Sequence, residues 1–302
     1  MIITDEHNLR TIGCYRDVLK GEQKHVWGKD AIVDTPNIDR LAAEGAIFEN
    51  FYTVAPLCTP SRASFMSGLY PHKTGGSQYN HGRMNDDVVT FAQVLQEQRG
   101  YRTGYIGKWH LNGDEKPGWG NSFRKFGFTD AKYQFNRGHW KFLDEVNGTM
   151  KEYDFSEGKQ FEGEEETHYT TDYLFDRGID FMAAAKNNSE PFAFVLSIPD
   201  PHSPNQVRNP YGDMYKNMHF GLPRTAKQVV NKNPASPSWN SHDHMSVPLD
   251  EAELYLQEYE DSLSYQDKMQ KYFGMVKCID DNVGKLLDYL SNEGIAQETI
   301  VV

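Results

Sequence analysis

The chain has only three cysteines, Cys14, Cys58 and Cys278, and no C-x-x-C pair among them. That count and spacing suggest neither a structural zinc site nor a disulfide framework. No apolar run approaches the roughly 20 residues that cross a bilayer as a helix. A basic-then-apolar leader is missing from the start, where Met1-Ile2-Ile3-Thr4 reads as the end of a buried strand. No internal repeat is present. Cations are in deficit: 31 Lys and Arg against 43 Asp and Glu give a net charge of −12. Such a surface repels polyanions at long range and argues against nucleic acid as a partner. Any anionic ligand has to be recognised by a local cluster of cations.

Hydrophobic residues make up 38% of the chain and aromatics 13%, the balance of a folded protein. With 302 residues it can bury one large core or two modest ones. Short apolar strands alternate with amphipathic helices, which predicts an α/β fold. Strands are expected at 2–4, 46–54, 101–107 and 192–198, with another beginning at 299–302. Helices are expected at 37–44, 88–98 and 172–186, with one or two more within 250–290. Two stretches rich in Gly, Asn, Pro and aromatics, 117–170 and 204–248, read as insertions able to cover a site. Residues 163–166 (Gly-Glu-Glu-Glu) read as a solvated acidic loop.

The segment Cys58-Thr59-Pro60-Ser61-Arg62 combines a thiol, a proline suited to a first helical turn and a fixed cation. Thr59 is suited to capping a helix, and Ala63, Phe65, Met66 and Leu69 follow at roughly helical spacing. Position 58 then lies at a helix N-terminus, where the dipole favours an anion. Arg62 lies one turn further on. The same letters also describe a plain capped helix with Cys58 as a small buried residue.

Three more segments fall at or near strand ends: Asp5-Glu6, Gly107-Lys108-Trp109-His110 and Pro201-His202-Ser203-Pro204. In open α/β sheets, ligands bind outside the carboxyl ends of strands. Adjacent acids on a turn offer oxygen ligands to a hard cation, although such pairs are also common on surfaces. A strand-end lysine neutralises an anion, and histidines move protons near neutral pH.

The C-x-P-S-R pattern, its continuation to Gly75, the G-K-W-H segment and the P-H-x-P turn together resemble the sulfatase family, over nearly the whole chain. The resemblance implies an alkaline-phosphatase-like α/β fold, with a mixed or mostly parallel sheet sandwiched by helices. It implies oxidation of Cys58 to formylglycine by a maturation enzyme. It also implies a divalent cation, calcium or alternatively magnesium, held by Asp5, Glu6 and position 58. The family more often has two aspartates where this chain has Asp5-Glu6. By the same resemblance Arg62 holds the aldehyde hydrate, Lys108 binds sulfate, His110 helps expel sulfate and His202 protonates the leaving alcohol.

The implied reaction is hydrolysis of a sulfate ester, of a small molecule or a polysaccharide, with a sulfated carbohydrate favoured. Alternatives are a phosphodiester or phosphonate monoester hydrolase of the same superfamily and a noncatalytic protein binding sulfated sugars. Residues 299–302 resemble the strand before a second metal-bearing loop, so one incomplete catalytic domain spanning 1–302 is expected. Weak metal binding and little activity are expected of these 302 residues alone. Export is typical of the family. His72, Gln78, Asn80, His81, Arg83 and His139 are further pocket candidates. Trp119, Tyr133, Phe135 and Trp140 suit sugar stacking but more often serve a core. His242-Asp243-His244 reads as a solvated loop, and Cys14 and Cys278 as core residues.

Overall fold

The computed structural model describes residues 1–75, 81–120, 124–154, 168–223 and 263–302. Its elements in chain order are β1 (Ile2–Thr4), α1 (Gly13–Val18), α2 (Pro36–Glu44), α3 (Cys58–Ser67), α4 (Phe91–Arg99), β2 (Arg102–Lys108), β3 (Gln134–Phe135), β4 (Phe142–Val146), β5 (Thr149–Tyr153), α5 (Thr170–Asn187), β6 (Phe192–Ile198), α6 (Tyr211–Met214) and α7 (Tyr265–Asn292). Four strands form a parallel sheet in the order β1-β6-β2-β3. Among the described residues, no helix is long and apolar enough to cross a membrane.

Alternation along the strands divides the core into two layers. Tyr105 lies opposite Val195, and Ile106 lies opposite Leu196. Tyr105 and Val195 join Ala63 and Met66 of α3 and Ala92 of α4. Ile106 and Leu196 turn the other way, to Leu174 and Phe181 of α5 and Ile279 and Val283 of α7. Each fully buried side chain of this size contributes about 1.5–3 kcal/mol, so both faces hold the sheet. The long helix α7 starts at a capping box between Ser264 and Asp267. From its middle, Asp280 accepts hydrogen bonds from the Asn37 and Ile38 amides at 3.0 and 2.9 Å. It thereby caps α2 from 243 residues away.

Several sequence expectations need correction. Residues 46–54 form no strand, and Phe48, Phe51 and Tyr52 are exposed there, with no neighbouring strand to bury them. Cys58 therefore enters α3 from a loop. Leu57 is the N-cap of α3, without a side-chain bond, so Thr59 lies inside the helix and does not cap it. Phe65 and Leu69 are exposed, whereas Ala63 and Met66 are buried. The 299–302 segment is not a strand either, although the Ile2 amide donates to the Val302 carbonyl at 2.7 Å. The expected 88–98 helix begins later, at Phe91, because Thr90 accepts from the Gln93 amide and caps it. Within 117–170 the chain builds the hairpin β4–β5 around Asn147-Gly148. Both residues have positive φ, the signature of an Asn-Gly turn.

Candidate active site

Strand register fixes the site. Thr4 pairs with Ile198, Gly107 with Ser197 and Lys108 with Phe135. The next residues of each strand emerge side by side at the carboxyl edge. They are Asp5 after β1, Asp200 to His202 after β6, Lys108 ending β2, and His139 four positions past β3. Gly107 is needed just before Lys108: its φ is +96°, and a Cβ there would lie 2.0 Å from the Ser197 carbonyl oxygen.

Lys108 is held at both ends. Its carbonyl accepts from Arg62 Nη1 at 2.7 Å, Tyr105 Oη at 2.8 Å and Ser197 Oγ at 2.8 Å. Its ammonium lies 2.5 Å from Asp5 Oδ2. Arg62 is buried and also approaches Asp5, Nη2 to Oδ2 at 3.5 Å. Burial alone would raise the Asp5 pKa, but the charges of Arg62 and Lys108 hold the carboxyl far below its ordinary range. Desolvation pulls the Lys108 ammonium down, while Asp5 opposes that pull.

Cys58 is the first residue of α3, at the positive end of the helix dipole. Its Sγ lies 3.7 Å from Asp5 Oδ1. Burial and the Asp5 charge push the thiol pKa up, against the opposing pull of Lys108 and Arg62. An activated cysteine nucleophile shows the opposite shift. As a plain thiol, Cys58 is a poor nucleophile here.

Three histidines complete the cluster. His139 Nε2 lies 2.7 Å from Lys108 Nζ. An ammonium has only donors, so Nε2 accepts there, and its 3.8 Å approach to Asp5 is no hydrogen bond. Burial lowers the His139 pKa to about 4, consistent with a neutral ring. The His139 ring stacks on His202, with centroids 3.7 Å apart and planes 10° apart. His202 Nδ1 faces the Ser203 carbonyl oxygen at 2.8 Å, and Nε2 faces Glu6 Oε1 at 3.1 Å. Ser203 Oγ also lies 3.4 Å from Nδ1. His110 is buried at φ +62°, and among the described residues neither ring nitrogen has a hydrogen-bond partner. Burial, then the charges of Lys108 and Arg62, drive its pKa down to about 2.

Asp5, Cys58, Arg62 and Lys108 are thus brought together, with His139 and His202 alongside. Glu6 follows Asp5 in sequence but turns to His202, its backbone at φ +57° and its carbonyl accepting from Tyr272 Oη at 2.9 Å. Among the described residues, no group of three or more His, Cys, Asp or Glu side chains is arranged to hold a metal ion. Asp5 faces Lys108 and Glu6 faces His202, so the side chains as placed offer a hard cation fewer oxygen ligands than it takes.

His139, only a pocket candidate by sequence, lies at the centre. Its signal was its distance past the Phe135 pairing, which is visible only once β3 is known. His81 contacts Arg137 Nη2 at 3.0 Å and lies 5.9 Å from the His110 ring. His72 stacks near Tyr70, and Arg83 pairs with Asp86. Phe135 is fully buried, Tyr133 and Trp140 pack against the core, and Trp119 packs on Phe135. Cys278 is buried, as expected, and Cys14 is half-buried. Gln78, Asn80, residues 163–166 and His242 to His244 lie outside the described residues.

The sulfatase family model matches residues 24–302. The chain is 28% identical over 300 residues to an uncharacterized sulfatase, YidJ, of Escherichia coli (strain K12), covering 97% of this chain and 53% of that protein. It is 26% identical over 350 residues to the N-acetylglucosamine-6-O-sulfatase of Bacteroides thetaiotaomicron, covering 100% of this chain and 56% of that protein. The crystal structure of Ps i-CgsB in complex with k-i-k-neocarrahexaose superposes with a TM-score of 0.61 at 25% identity, over 97% of this chain and 55% of that one. The chain spans about half the length of the curated relatives it matches. The mostly parallel sheet between helical layers is the alkaline-phosphatase-like architecture. With the family model matched over most of its length and the motif residues gathered at one sheet edge, the chain belongs to the sulfatase family.

Proposed function

We propose that residues 1–302 are part of a catalytic domain for hydrolysis of sulfate esters, with a sulfated carbohydrate as substrate and Cys58 matured to formylglycine. The observation that carries this reading is the convergence of Cys58, Asp5, Arg62 and Lys108 at one sheet edge. The raised thiol pKa supports it, since Cys58 as encoded lacks the character of a nucleophile. Membership of the sulfatase family and the N-acetylglucosamine-6-O-sulfatase among the relatives favour a sulfated sugar.

A formylglycine at this position would supply, as its hydrate, one hydroxyl that attacks sulfur and loses its proton to solvent, and a second whose deprotonation re-forms the carbonyl and breaks the carbon–oxygen bond to sulfate, leaving an aldehyde that water rehydrates. Lys108 and the N-terminus of α3 stabilise the negative charge gathering on the sulfuryl oxygens. Arg62 braces the carbonyl of Lys108 and keeps that ammonium aimed. As the sulfur–oxygen bond to the sugar breaks, His202 donates a proton to the departing alcohol oxygen. His110, whose ring nitrogens have no hydrogen-bond partner among the described residues, takes the proton of the remaining hydroxyl. A divalent cation, calcium or magnesium, would draw charge from the sulfate oxygens, with Asp5, Glu6 and position 58 among its ligands.

The test is mass spectrometry of the peptide containing position 58, from protein co-expressed with a formylglycine-generating enzyme. Parallel assays would use aryl sulfate, phosphodiester and phosphonate monoester substrates. An aldehyde at 58 and preferential sulfate release are expected. An unaltered thiol, or faster phosphodiester or phosphonate cleavage, would overturn the proposal.

A further inference from the structure

Lys141 and Asp200 are not among the groups assigned to substrate, yet each is only 1% exposed. Lys141 Nζ lies 2.7 Å from Asp200 Oδ1. Asp200 Oδ2 accepts from Tyr169 Oη at 2.6 Å and Thr171 Oγ1 at 2.8 Å, so both carboxylate oxygens are engaged. Met275 Sδ, on α7, lies 3.5 Å from the Lys141 ammonium. Desolvating a full ion pair costs about what the pairing returns, so such a pair is weak evidence for added stability, and fixing one arrangement is its better-attested use.

The sequence offsets show which arrangement is fixed. Lys141 lies two residues after His139, and Asp200 lies two residues before His202. The rings of those two histidines stack at 3.7 Å. The Asp200 carbonyl also accepts from the Asp5 amide at 3.2 Å. One buried contact therefore joins the bases of both histidine-bearing loops, and a backbone bond ties it to Asp5.

We infer that the Lys141–Asp200 pair is a clamp that registers His139 against His202 and so holds His202 where it meets the leaving-group oxygen. Both are positioning residues, and the inference rests on the reading of His202 as proton donor. Loosening the clamp displaces the donor, while the Lys108 carbonyl keeps its three donors, Arg62, Tyr105 and Ser197. Esters whose leaving group needs a proton then suffer most.

The test uses the full-length, formylglycine-bearing enzyme and three variants. Lys141→Met leaves Asp200 without its cation. The double variant Lys141→Met/Asp200→Asn removes both charges and keeps an acceptor for Tyr169 and Thr171, which guards against misfolding. Thr171→Val removes one donor to Asp200 and is the mildest change. Rates are measured on 4-nitrophenyl sulfate and on an alkyl sulfate of poor leaving ability. The expected result is an additional loss of about tenfold in kcat on the alkyl ester, with KM changed by less than about threefold. An equal loss on both esters marks a merely structural role and overturns the inference.

A second readout does not depend on turnover. In spectra of histidine-labelled protein, the ring-carbon proton signals of His139 and His202 carry ring-current shifts from the stack. These should move toward unstacked positions in the double variant and, by less, in Thr171→Val; unmoved signals would overturn the clamp. If the parent hydrolyses neither ester, the functional reading fails while the ring signals still decide the clamp.

Discussion

The two sides of the site are built differently. On one, Asp5, Arg62 and Lys108 are buried and mutually paired, and three donors converge on the Lys108 carbonyl. On the other, His202 and Glu6 retain side-chain exposures of 19% and 57% and hold each other through one contact. A fixed, dry array of charges suits stabilisation of a developing anion, because no reorganisation is needed at the moment of reaction. A partly wet histidine suits proton transfer, because it has to exchange protons with solvent between turnovers. In the proposed reaction, sulfuryl binding rests on the first side and leaving-group protonation on the second, with His139 touching both.

Four substitutions test that division, in full-length matured enzyme. Cys58→Ala removes the group both sides serve and is expected to cut kcat/KM on an aryl sulfate by about 10⁴-fold or more; residual activity near the parent's would break the scheme. Lys108→Met strips the buried side of its aimed cation. A loss of about 10²–10³-fold is expected, equal for good and poor leaving groups, and a strong leaving-group dependence would contradict the assignment. His202→Ala disables the open side, with about a 10²-fold loss on an alkyl sulfate. On 4-nitrophenyl sulfate it should lose far less, and equal losses would merge the two sides into one. Asp280→Ala is the control, since its carboxylate caps α2 away from both sides. Chemical denaturation should show about 2 kcal/mol less stability. The rate ratio between the two esters should stay at the parent value, and a shifted ratio would couple the fold's far side to the site.

Much of this was legible in the letters because it is local. The 192–198 strand is apolar except for Ser197, as suits a strand covered on both faces. Gly107 before Lys108 marks a backbone that only glycine adopts easily. Asn147-Gly148 carried a turn signal that the broad reading of 117–170 passed over. The errors have the same character in reverse. Residues 46–54 alternate well enough for a strand, but no partner strand receives them. Thr59 has the chemistry of a cap, yet the helix starts one residue earlier.

The central position of His139, the turning of Glu6 toward His202 and the burial of Lys141 against Asp200 left no local trace. Each depends on residues about 30 to 200 positions apart being brought together by the β1-β6-β2-β3 order. The sequence by itself determined which chemical groups this chain owns and which segments hold them, because motif residues and strand patterns are set by near neighbours. Only the tertiary structure decided which of those groups meet, because parallel pairing aligns strand ends that the chain keeps far apart. Burial then sets the charge of each group according to the company it keeps.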